Sequence, residues 1–176
     1  MKKVYAILTL AAIVGLTLTG CFFTVRHRPP PISWEELQEK QRVTFNSSYD
    51  RVWDAALVAL ATQKIDEVDK ESGIITTREM NVSASKISEL AWSPNYSSFW
   101  YYESSDAMDN ARYWINIKVS KIAEDTTKVQ ITPNFEIHIR EHVWDTTSNY
   151  AWKRIRSKGV IEDIIAGRIA RELGGD

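Results

Sequence analysis

Cysteine is nearly missing from this chain of 176 residues: with Cys21 alone, no intrachain disulfide can form and the fold must be held by packing. Histidine is scarce too. No cysteine, aspartate or third histidine is spaced around His138 and His142 to complete a ligand set, so neither a metal nor any other cofactor is expected. The few glycines build no glycine-rich phosphate loop. No serine sits in Gly-x-Ser-x-Gly; Ser83-Ala84-Ser85-Lys86 matches Ser-x-x-Lys once, but the partner motifs Ser-Asp-Asn and Lys-Thr-Gly are absent, and the lone match reads as chance. With no catalytic residue to name, the chain is not expected to be an enzyme. Runs of five like charges are absent and the net charge is −1, which gives a nucleic acid nothing to hold.

What is present begins at the amino terminus. Lys2 and Lys3 precede an apolar run from Val4 to Leu18, and Leu18-Thr19-Gly20-Cys21 resembles a bacterial lipobox. A membrane-spanning helix wants roughly 20 apolar residues, so this run is expected to be a signal-peptide core, too short to anchor the chain by itself; the alternatives are an ordinary signal peptide or an uncleaved helix with Cys21 incidental. The resemblance implies cleavage between Gly20 and Cys21, a diacylglyceryl group on the Cys21 sulfur, and acylation of the new amine, so that residues 1–20 are lost and membrane lipid holds the rest. Phe22 stands where inner-membrane retention in Gram-negative lipoproteins would need aspartate, which implies sorting to the outer membrane, facing the periplasm.

Phe22 to Pro31, with Arg26, His27, Arg28 and three successive prolines, buries little and favours an extended segment; residues 21–32 are expected to be a tether. Residues 33–176 then form one domain. Ser33-Trp34-Glu35-Glu36 has the form of a capping box and predicts a helix from Trp34 to about Lys40, docked by Trp34 and Leu37. Alternation predicts a strand at Arg42–Phe45, and Ser47 is expected to cap a helix over Tyr49–Gln63 whose apolar stripe carries Val52, Trp53, Ala56, Leu57 and Leu60. Ile65–Val68 and Ile74–Thr77 flank a polar connection ending in Gly73, a hairpin signal. From Tyr113 a strand alternates to Ser120, and after a polar turn a long strand sets Val129, Ile131, Phe135, Ile137 and Ile139 on one face. Pro133 within it suggests a bulge or an edge. A stretch after Asn149 has no firm assignment. Val160–Leu173 then places Ile161, Ile164, Ile165, Ile169 and Leu173 on one helical face, ended by Gly174. The expected fold is α+β: an antiparallel sheet with two amphipathic helices on one face, in the order β-α-β-β-β-β-α.

The segments Val43-Thr44-Phe45, Tyr49-Asp50-Arg51-Val52-Trp53-Asp54-Ala55 and Asp69-Lys70-Glu71-Ser72-Gly73-Ile74-Ile75 resemble the helix-grip domains of outer-membrane assembly lipoproteins of the BamC type. That likeness covers most of residues 42–80 and, more loosely, 112–173. It implies the same packing unit and a place in outer-membrane protein assembly.

Residues 83–110 show no clean period and interleave serine with Trp92, Tyr96, Phe99, Trp100, Tyr101 and Tyr102. Aromatics separated by serine suit an adaptable recognition surface, so these six are the expected contacts for an envelope protein partner; the alternative is that Trp92, Phe99 and Trp100 plug the open face of the sheet or the edge of the core. Glu136, His138, Arg140 and His142 share the wet face of the long strand. Residues four apart there are about 13 Å apart, too far for the two histidines to hold one metal, and the face reads as solvated. Together these features suggest a binding or scaffolding lipoprotein. The alternative is an envelope enzyme or a small-ligand carrier with a pocket between the sheet and the last helix.

Overall fold

The computed structural model describes residues 30–92, 111–141 and 149–174. Its elements, in chain order, are α1 (Trp34–Gln41), β1 (Arg42–Phe45), α2 (Tyr49–Ala59), β2 (Ile65–Asp69), β3 (Ile74–Thr77), β4 (Met80–Val82), α3 (Ala84–Leu90), β5 (Ala91–Trp92), β6 (Ala111–Ala123), β7 (Thr126–Glu141), β8 (Asn149–Ser157) and α4 (Val160–Glu172). The class is α+β, with an open antiparallel sheet of eight strands among the described residues.

The long β6–β7 hairpin is the spine of that sheet. On its β6 side lie β3, paired through Ile74↔Lys118, and β4, paired through Met80↔Tyr113, with β2 outside β3. On its β7 side lie β1, paired through Val43↔Val129, and β8, paired through Phe135↔Ile155, with β5 outside β8. Each flank of the spine is therefore broken in the middle, and both breaks fall at the row Ile115↔Pro133. Ile115 donates its amide to Thr77 Oγ1 at 2.9 Å, away from β7, so a side chain fills the ladder between β3 and β4. Because that amide points outward, Ile115 and Pro133 are a non-hydrogen-bonded pair, and the missing N–H of Pro133 faces the gap between β1 and β8. Pro133 thus sits where β7 is locally an edge, one of the two expected positions, and no bulge is needed. Thr77 is buried, so Thr77→Val, which keeps its shape, should strand the Ile115 amide and lower stability by about 1–3 kcal/mol in urea denaturation; an unchanged midpoint would mean that water reaches that amide.

Alternation along the spine sends Ile115, Ile117, Val119, Val129, Ile131, Phe135 and Ile137 to one face, where they meet Val52, Trp53, Ala56 and Leu60 of α2 and Ile161, Ile165 and Ile169 of α4. Arg51, near the start of α2, donates to the Leu173 carbonyl at 3.2 Å, and Arg168 of α4 donates to the Ala59 carbonyl at 3.1 Å. The two helices are consequently antiparallel and tied at both ends. The hairpin at Gly73 belongs to the same unit. Tyr49 donates its hydroxyl to the Lys70 carbonyl, and Gly73 has a φ of 69°, with a β-carbon there meeting the Val119 oxygen at 2.1 Å.

Several expectations need correction. Ser33 does accept from the Glu36 amide at 3.0 Å, and Leu37 is buried, but Trp34 is 61% exposed and meets the domain through the Arg156 guanidinium rather than the core. Ser48, not Ser47, occupies the cap position of α2 and makes no side-chain cap bond, while Ser47 is buried with its hydroxyl unpartnered. Ile164 is 47% exposed and lies off the buried stripe of α4. Ser83 caps α3, so the start of the 83–110 stretch is regular, and the unassigned stretch after Asn149 is β8.

Glu162, in the first turn of α4, is fully buried. Ser157 Oγ donates to it at 2.8 Å and Gln41 at 3.4 Å, yet burial pushes its carboxyl above the ordinary 4.5. A raised acid makes its stabilising contribution below the unfolded value and loses it as pH rises through the folded one. Glu162→Gln should therefore raise the thermal midpoint at about pH 8 and change it little at about pH 4, where the native side chain is already neutral. An equal shift at both values would contradict this account.

Candidate functional site on the open face of the sheet

The face of the spine turned away from the helices carries the opposite set of residues: Arg112, Trp114, Asn116 and Lys118 on β6, and Lys128, Gln130, Thr132, Asn134, Glu136 and His138 on β7. Register extends this set across the sheet. Asn81, Arg112, Glu136 and Arg154 form one row over four strands, and His138 pairs with Trp152 in the row beyond.

Arg112 is the centre of the cluster. Its Nε and Nη2 donate to Glu136 Oε2 at 2.9 and 2.7 Å, its Nη1 donates to Glu79 at 3.0 Å, and its guanidinium lies 3.9 Å from the centroid of the Trp152 ring. Only 24% of the Arg112 side chain and 13% of Glu136 are exposed, so this pairing is screened less than an ordinary surface pair. The carboxylates push the guanidinium pKa further up, so its charge is permanent. Arg154 reaches the other Glu136 oxygen at 3.6 Å with 74% of its side chain in solvent. Trp152 also meets the His138 ring at 4.8 Å. A ring fixed between a cation and an imidazole is pre-ordered, and the cation–π contact with Arg112 contributes about 0.5–1 kcal/mol at an exposed site.

A second cluster stands beside the first. Arg156 shares the open face with Arg154 and Trp152 by alternation, since Ser157 turns inward to Glu162. Its guanidinium lies 4.0 Å from the Trp34 ring and donates to the Ser33 carbonyl, and Trp92 sits opposite it in β5. The exposed Trp34 is thus pinned to the edge of the open face.

Of the predicted partner-binding residues, Trp92 is half-buried at this edge, whereas Tyr96, Phe99, Trp100, Tyr101 and Tyr102 lie outside the described residues, as does Cys21. Glu136 and His138 do share the open face. The Arg140 side chain and His142 lie outside the described residues. Sequence reasoning missed Arg112, Trp152, Arg154 and Arg156. The signal for three of them was the alternation of Trp152, Arg154 and Arg156 in β8; for Arg112 there was none without the register. Flat rings beside cations, as in the Arg112–Trp152 contact, are groups suited to recognition. The chain matches no model of a known protein family and no curated protein.

Proposed function

We propose that this protein is a lipoprotein of the bacterial envelope, anchored in the outer membrane through acylated Cys21 and facing the periplasm. It acts as a binding or scaffolding component, in the assembly of outer-membrane proteins. The anchor rests on the lipobox pattern and on Phe22, and the assembly role on the resemblance to the BamC type. The observation that carries the binding reading is the Arg112–Glu136–Arg154 row capped by Trp152, an exposed, pre-ordered patch of the residue types that dominate binding energy at protein interfaces.

The double variant Trp152→Ala, Arg154→Ala tests this reading in intact cells by chemical crosslinking with identification of the captured protein. Trp152 is 38% exposed and Arg154 74%, so the free energy of unfolding should fall by about 1–2 kcal/mol, leaving the chain folded, while crosslinking falls at least roughly tenfold. Undiminished crosslinking from a folded variant would place the binding surface elsewhere.

A further inference from the structure

On the helix side of the sheet, a cleft of about 190 Å³ opens between the end of α2, α3, the start of β6 and α4. Its floor is apolar and buried, with Leu60, Leu90, Ile115 and Ile165 contributing. At its mouth Ile164 leaves an isoleucine side chain 47% exposed, an apolar group with nothing over it among the described residues. The two charged side chains that line the cleft, Lys86 and Arg168, are both cations.

Neither cation is saturated. Lys86 meets Glu89 at 2.7 Å, but both side chains are more than half exposed, and such pairs are weak enough for a second carboxylate to compete. Arg168 donates Nη1 to the Ala59 carbonyl and to Thr62 Oγ1, which fixes the guanidinium at the rim and leaves the rest of its donor fork available. An apolar slot with two cations at its mouth complements a molecule that has an aliphatic tail and one anionic head. The volume decides the size: it is below the roughly 300–1,000 Å³ of sites for drug-sized ligands, so a single short acyl chain fits and a two-chain phospholipid does not.

We infer that this cleft binds a medium-chain fatty carboxylate, with its tail between β6 and α4 and its head between Lys86 and Arg168. The site lies on the face opposite the Arg112 cluster, and its occupancy does not depend on what that cluster binds.

The test uses calorimetric titration of the mature chain, residues 21–176 with Cys21→Ser so that no detergent competes, against decanoate and, separately, decanol, both below their aggregation limits. Saturable binding of decanoate, tighter than that of decanol, is expected. Lys86→Glu, at an exposed position, should keep the native circular dichroism spectrum, weaken decanoate roughly fivefold and leave decanol unchanged. Ile164→Glu, at the exposed mouth, should weaken both probes. Absence of saturable decanoate binding would overturn the proposal. So would equal affinity for the two probes, or a folded Lys86→Glu chain that binds decanoate as the native one does.

Discussion

Trp53→Ala is expected to lower the free energy of unfolding by about 3 to 5 kcal/mol, the loss typical of a large buried aromatic side chain. Trp53 is 2% exposed on the inner face of α2, and its ring stacks on Tyr49 at 6.1 Å, which in turn reaches the hairpin carbonyl of Lys70. Truncation removes the ring's burial, opens a cavity where helix and sheet meet, and loosens the tyrosine that joins α2 to the β2–β3 hairpin. In urea the midpoint should fall with the slope unchanged, because the same surface is exposed on unfolding. A midpoint that hardly moves would show that the α2 stripe does not hold the domain together.

Cys21→Ser should have the second large effect, on location rather than on stability. Metabolic labelling with a fatty-acid probe should tag the native chain and leave the variant unlabelled. The native protein should fractionate with the outer membrane while the variant loses that attachment, since two or more acyl chains hold a protein on a bilayer stably and none of them remains. Phe22→Asp should shift the labelled protein to the inner membrane. Equal labelling of the native and Cys21→Ser chains would refute lipidation at this residue.

Much of the fold was legible because the hydrophobic period is strong where elements are long. β6 and β7 alternate over many residues, and Val52, Trp53, Ala56 and Leu60 repeat at helical spacing, so one buried face of each element could be read directly. α3 was illegible because seven residues with Ile87 and Leu90 as its buried anchors give too short a pattern among the serines. β8 hid for a different reason: Lys153 stands opposite Ile137 on the core-facing side, which breaks the alternation that Trp152, Arg154 and Arg156 set up. The exposure of Ile164 was equally hidden, since composition cannot tell an isoleucine at a cleft mouth from one beneath it.

The candidate site was half visible. Glu136 and His138 could be placed on one wet face from strand period alone. What makes that face distinctive comes from neighbouring strands: Arg112 is 24 residues before Glu136, and Trp152 and Arg154 follow on β8. Those juxtapositions depend on register, which period does not supply. In the fold Glu136 pairs across strands with Arg112 and Arg154.

The central claim is that the open sheet face, and not the helix side, meets a protein partner in the envelope. Photo-activatable crosslinking residues placed singly at Arg154 on that face and at Val58 on α2, both exposed, compare the two sides in living cells without disturbing the core. The account predicts a discrete crosslinked product from position 154 and none from position 58. A product from position 58 with none from position 154 would contradict it.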